Sequence, residues 1–318
     1  MKHRFQCIVI LFTLAFATVV ARPAQATEYA SPQALLLTYY NAINRQDYAT
    51  AYALWLSPRQ TYRAFAAGFA DTTRVEPYFG GLQTRNSTQA GYVPALLLGY
   101  QTDGRVFAYY GCFTVSYQGV NGVTWRIAGG NFHLLTSLGV PDNAVIAAYL
   151  AIDCFNPPTA ITPDTATITS NLAAPTILAY YDAINSKAFP AAYTYWLQPL
   201  PGPKPNGAPA QDYRPTFTAF QNGYADTAYV NAYFGTYNQT GASAGHSYLD
   251  GLLPAVLVGQ KTDGTFAAYS GCYVMGYLPN GVLGIVNGKF TLVANDVPTG
   301  DVILQYVNLD CTQLAIPN

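Results

Sequence analysis

Charge is scarce in this chain of 318 residues: Lys, Arg, Asp and Glu together make up 10% of it, and no stretch gathers lysines or arginines. A partner held through phosphate contacts therefore has no electrostatic support, and nucleic acid is excluded as an expected partner. Histidine is scarcer still, with three in all. No C-x-x-C or H-E-x-x-H occurs, and His133 and His246 stand at positions that do not correspond within the repeat described below. Zinc-ligand spacing is thus absent, and no metal is expected. The phosphate loop and the dinucleotide fingerprint are missing too, so no cofactor is expected. After the first residues no segment supplies the roughly 20 uninterrupted apolar residues of a membrane span.

The amino terminus has a pattern of its own. Lys2 and Arg4 precede an apolar run from Cys7 to Ala21, followed by Arg22-Pro23 and the small residues of Ala24-Gln25-Ala26. This order predicts a secretory signal peptide over residues 1–26, with a run of about fifteen apolar residues that is too short to stay as an anchor. Its removal leaves 12 basic and 16 acidic residues and a net charge of −4. A secreted or otherwise extracytoplasmic location is expected. What the chain has in abundance is apolar and aromatic material, 51% hydrophobic residues and 27 tyrosines, enough for a large core in which phenol hydroxyls find partners.

The chain repeats itself. Tyr39 to Trp55, YYNAINRQDYATAYALW, returns at a constant offset as Tyr180 to Trp196, YYDAINSKAFPAAYTYW. Phe65 to Thr72, FAAGFADT, matches Phe220 to Thr227, FQNGYADT, after a Pro/Gly-rich insertion that follows Pro199. The match runs on through Phe79-Gly80 and Phe234-Gly235, Thr102-Asp103-Gly104 and Thr262-Asp263-Gly264, Gly111-Cys112 and Gly271-Cys272, and Asp153-Cys154 and Asp310-Cys311. Two long copies predict two complete domains, 31–154 and 173–311, joined by a Pro- and Thr-rich linker at 155–172.

Within each copy, aromatic residues at helical spacing predict three short amphipathic helices: Leu36, Tyr40 and Ile43, then Tyr48, Tyr52 and Trp55, then Tyr62, Phe65 and Phe69. Asp47 is positioned to cap the second, and Pro190 falls in the first turn of its counterpart. The rest reads as strands, namely YVPALLLGYQ, RVFAYYGCFTVSYQ, VTWRIAGGNFHLLTSL and AVIAAYLAIDC, with Thr-Asp-Gly and Asn-Gly turns between them. Helices followed by an antiparallel meander make an α+β fold with the helices on one face of a bent sheet.

The YY-AIN and Y/F-AY-W helix pattern, the G-F/Y-ADT after the third helix and the meander resemble the nuclear transport factor 2-like, or SnoaL-like, superfamily of cone-shaped α+β domains. The resemblance covers both copies. It implies a conical pocket between helices and sheet in each, and pairing through the outer sheet face, which two joined copies can achieve as a pseudo-dimer within one chain. It does not imply an activity, because that superfamily includes isomerases, dehydratases, cyclases and domains without catalysis.

Of the three pairings open to the four remaining cysteines, only Cys112 with Cys154 and Cys272 with Cys311 closes each copy on itself, joining a central strand to the last strand. Such loops stabilise by about 4 kcal/mol in the chain-entropy model. Asp71 and Asp226, each after a third helix, are the two candidates for a general base in a pocket, or else they serve the local turn. Tyr40, Tyr52, Trp55 and Phe69, with Tyr181, Tyr193, Trp196 and Tyr224, either line a ligand pocket or form plain core. His133 is expected to be a packed or surface residue.

Three functions are compatible with these features: a non-catalytic module binding an unknown small molecule, glycan or protein; a cofactor-independent isomerase, dehydratase or cyclase with a pocket Asp; and a structural protein of the cell envelope.

Overall fold

A computed structural model describes residues 29–85, 89–119, 123–136, 139–156, 173–197, 214–239, 249–277 and 283–313. The expected signal peptide, the linker from residue 157 on, the insertion after Pro199, the two Asn-Gly turns and His246 lie outside these residues. Among the described residues the chain is α+β, with eight α-helices and two antiparallel sheets of four and five strands.

The first half starts with α1 (Pro32–Asn44), entered through the Ser31 side chain, which accepts from the Ala34 amide at 3.1 Å. Helix α1 is buried on every side, and Leu35, Leu36 and Leu37 have no solvent exposure at all. Each such side chain stabilises by about 1.5–3 kcal/mol through burial, so this helix is an interior element and not a surface one. Two short helices follow, α2 (Tyr48–Ala53), capped by Asp47, and α3 (Tyr62–Ala67), capped by Thr61. Strands β1 (Thr72–Phe79), β2 (Ala90–Gln101), β3 (Val106–Gly119) and β4 (Val123–Thr136) then pair in sequence order. Gly104, at φ 84°, turns β2 into β3 while the Asp103 carboxylate accepts from the Arg105 amide.

The second half has α5 (Ala174–Asn185), α6 (Phe189–Tyr193) and α7 (Phe217–Asn222), then β5 (Thr227–Phe234), the two-residue β6 (Asn238–Gln239), β7 (Leu249–Lys261), β8 (Phe266–Tyr277) and β9 (Leu283–Ala294). Its sheet runs β5-β7-β8-β9, with β6 on the side of β7. In both halves the segment after α2 or α6 bridges in parallel to an edge strand, Trp55 to Ile127 and Trp196 to Ile285. These bridges hold the helical layer against one side of each sheet.

One expectation is corrected. AVIAAYLAIDC is not a last strand: Asn143–Leu150 is helix α4, and its counterpart Gly300–Val307 is helix α8. The β-branched content of the segment favours a strand, but Asp142 caps the Val145 amide at 2.9 Å, and Ile146, Tyr149 and Leu150 fall on one buried face. Packing overrides propensity here. The helices reach the sheets closely because Gly80 and Gly235 lie beneath their C-terminal carbonyls: a Cβ on Gly80 would stand 2.6 Å from the Leu150 oxygen, and one on Gly235 closer still to that of Val307. The disulfides therefore connect β3 and β8 to the turns that follow helices. Cys112 bonds Cys154 and Cys272 bonds Cys311, each with Cα atoms 5.9 Å apart.

The halves share a core. In β7, Leu253, Ala255 and Leu257 belong to the second half's own cluster, whereas Val256 and Val258 join the cluster built around α1. Period-two alternation places these sets on opposite faces, so the second sheet shows its outer face to the first half. Tyr78 and Tyr233, at matched positions, meet edge to face at 5.0 Å, and the Tyr233 hydroxyl donates to the Pro77 carbonyl at 2.9 Å. Beside them runs a buried amide circuit. Asn41 Nδ2 donates to Gln260 Oε1 at 3.0 Å, Gln260 Nε2 donates to Thr38 Oγ1 at 3.1 Å, and Asn231 Nδ2 donates to Asn41 Oδ1 at 2.9 Å.

Replacing Asn41 by Leu leaves Gln260 Oε1 without its donor and Asn231 Nδ2 without its acceptor, which costs about 1–3 kcal/mol for each group left unpaired. We expect a clear fall in the urea midpoint of Asn41→Leu. Removing the second bridge, as Cys272→Ser with Cys311→Ser, is expected to cost about 4 kcal/mol before strain is counted, read as the difference between the two proteins' unfolding curves.

Candidate functional site

Each half carries a cavity beside its tryptophan. The first, of about 620 Å³, lies between the α2–α3 loop, with Trp55, Arg59 and Gln60, and a wall from β3 and β4 that includes Tyr110, Asn131 and His133. The Cys112–Cys154 disulfide closes one side of it. The second, of about 500 Å³, lies between helices α5 and α7 and strands β5 and β7, with Tyr180, Tyr181, Trp196, Phe220 and Tyr224 on its wall. Both volumes suit a small ligand.

The two tryptophans matched by the repeat, Trp55 and Trp196, present the same feature. The indole Nε1–H of Trp55 and that of Trp196 are buried without a hydrogen-bond acceptor. Each is near enough to a phenol, Tyr39 or Tyr180, to oppose the rise of its pKa, but not in hydrogen-bonding geometry with it. A buried donor without an acceptor costs free energy, so in two matched places it calls for an explanation.

The second cavity is backed by a network of tyrosine hydroxyls that the first half lacks. The hydroxyls of Tyr180 and Tyr224 are 2.9 Å apart, and that of Tyr181 bonds the hydroxyl of Tyr273. Burial pushes Tyr180, Tyr181 and Tyr273 well above the ordinary phenol value and raises Tyr224 as well. All four are neutral phenols that give or take hydrogen bonds; none is a base at neutral pH. The positions matching Tyr224 and Tyr273 in the first half are Phe69 and Phe113, so two hydroxyls belong to the second half alone.

The residues singled out from sequence are spread over several environments. Trp55 lines the first cavity, and Tyr181, Trp196 and Tyr224 line the second. Tyr40 is buried against Phe79 and Phe113, inside the core. Phe69 packs on Phe65 and Tyr48. Tyr52 and Tyr193 use their hydroxyls to hold the Gln60 and Pro215 carbonyls, both at 2.7 Å, which fastens α2 and α6 to the segments before α3 and α7. Asp71 is exposed, and its carbonyl accepts from the Thr102 amide at 2.8 Å; Asp226 repeats that bond with Thr262, and its residue borders the second cavity from an exposed position. Neither carboxylate is buried, so neither sits inside a pocket as a general base would. His133 is exposed at the first cavity, its ring 5.6 Å from Tyr110.

Sequence reasoning did not single out Tyr180, Tyr273, Tyr110 or Arg59. The Phe-to-Tyr exchanges between matched positions were the available signal for the tyrosine network. A Gly-x-Ser-x-Gly spacing at Gly241–Gly245 lies outside the described residues. That motif acts at a strand-to-helix turn, whereas the elements on either side here are both strands, β6 and β7. Among the described residues no group of three or more His, Cys, Asp or Glu can hold a metal ion, and no helix is long and apolar enough to cross a membrane.

Comparison with protein-family models gives no match, and comparison with curated proteins gives none either.

Tyr273→Phe leaves the Tyr181 hydroxyl without its partner in a dry site, and a loss of about 1–3 kcal/mol is expected. Tyr269→Phe, at a position 37% exposed, is expected to change the unfolding free energy by less than about 0.5 kcal/mol in the same urea titration.

Proposed function

We propose that the chain is an exported, non-catalytic binding protein made of two tandem cone-shaped α+β domains of the nuclear transport factor 2-like kind, residues 31–154 and 173–311, paired within one chain. Its ligand is a small ring-bearing molecule or a glycan held in the aromatic cavities. The observation that carries this reading is the pair of cavities, of about 620 and 500 Å³, each lined by one of the matched tryptophans Trp55 and Trp196 together with further aromatic rings. The rings supply apolar and CH–π contact, and the polar side chains on each wall, Asn131 and His133 in the first cavity and Tyr180 and Tyr224 in the second, supply hydrogen bonds.

Support for export comes from the amino-terminal sequence pattern and from two disulfides, bonds that persist in oxidising compartments. The catalytic alternative draws no support from Asp71 or Asp226, both exposed, and the tyrosines of the second cavity cannot take a proton at neutral pH.

A thermal-shift screen with mono- and oligosaccharides and with neutral ring ketones and alcohols tests the proposal. At least one class is expected to raise the melting temperature, and Trp196→Phe or Trp55→Phe to weaken that ligand by up to about ten-fold through loss of indole ring contact. The same substitutions shrink a half-buried ring, so some loss of stability in the unliganded protein is expected, and the ligand effect is read as the shift over each variant's own unliganded melting temperature. A screen without any hit, or hits indifferent to both substitutions, overturns the proposal.

A further inference from the structure

A third cavity, of about 760 Å³, lies between the two halves, and it exists because the halves meet unevenly. On one side of their contact, Asn41, Gln260 and Asn231 close the gap with direct hydrogen bonds. The sequence repeat matches these positions to Asp182, Tyr100 and Glu76 on the other side. There the gap stays open. The first half contributes Arg45, Arg74 and Tyr100 to its wall, and the second contributes Asp182, Asn185 and Tyr229.

The charges in this groove are incompletely paired. Glu76 is fully engaged, its two oxygens accepting from the hydroxyls of Tyr78 at 2.8 Å and Tyr100 at 3.1 Å. Arg74 lies over the Tyr100 ring at 4.2 Å, and its NH2 group is 3.6 Å from Glu76, but its Nε–H is buried with no acceptor. Arg45 lies over the Tyr229 ring at 5.6 Å and has no carboxylate at ion-pair distance among the described residues. Asp182 likewise has no ion pair there. Desolvation raises its pKa, and the charge of Arg74 only partly opposes this. Two guanidiniums, one of them sharing a Glu76 that already accepts from two phenols, and one carboxylate without an ion pair among the described residues thus border the same space.

We infer that the groove between the halves binds a small zwitterion, with the ligand carboxylate on the Arg74 and Arg45 guanidiniums and its ammonium group on Asp182. A ligand bearing both charges compensates both ends at once. One bearing a single charge engages only one end of the groove and gains only one of the two charge-assisted contacts. This site is separate from the tryptophan-lined cavities and does not depend on what they bind.

Isothermal titration of the purified protein with free L-amino acids and glycine betaine, against acetate and tetramethylammonium as single-charge controls, tests the inference. At least one zwitterion is expected to bind, and the controls to bind at least about ten-fold more weakly. Arg45→Gln and Asp182→Asn alter exposed residues, so both variants are expected to melt as the parent does and each to weaken the zwitterion by about ten-fold or more. Trp196→Phe is expected to leave this binding unchanged, which separates the groove from the second cavity. The inference is overturned if no zwitterion binds, if a single-charge control binds as tightly, or if zwitterion affinity survives both groove substitutions.

Discussion

The burial of α1 between its own sheet and the outer face of the second sheet is the constraint on which the rest of the structure depends. A helix whose every face is dry needs two partners, and the first half alone supplies one. Its polar side chains are tolerated there only because they are satisfied across the boundary: Thr38 and Asn41 bond Gln260 and Asn231. Such a circuit adds little net stability compared with an apolar packing of the same shape. It acts instead through the cost of breaking it, which fixes one register between the halves.

From that register follows the difference between the two sides of the contact. Neutral amides of matching length close one side. On the other, a carboxylate, a phenol and a second carboxylate occupy the matched positions, and an arginine lies over the phenol ring. Carboxylates cannot donate to one another, so the short amide contacts have no equivalent there and the groove remains. The disulfides and the close seats at Gly80 and Gly235 hold α4 and α8 against their sheets, which leaves the uneven contact little freedom to relax.

The first and second cavities differ for a related reason. Both are organised by a tryptophan stitched to an edge strand, so the orphaned indole recurs. Yet the first opens toward β3, β4 and the disulfide, and the second toward β5 and β7, where a tyrosine network replaces phenylalanine. Matched sequence therefore does not imply matched binding.

The α+β class, the positions of the first three helices, the hairpin turns at Gly104 and Gly264 and the partners of all four described cysteines were legible in the chain itself, because local periodicity, turn chemistry and cysteine count specify them. The final helices were not, since a short Val/Ile/Ala run has no decisive period and only the groove beneath it chooses helix over strand. Whether an aromatic residue at helical spacing lines a cavity, as Trp196 does, or fills the core, as Tyr40 does, was equally beyond local reading. Those outcomes depend on which faces of two distant sheets and one buried helix come together, and side chains more than 200 positions apart, such as Asn41 and Gln260, become neighbours only in three dimensions.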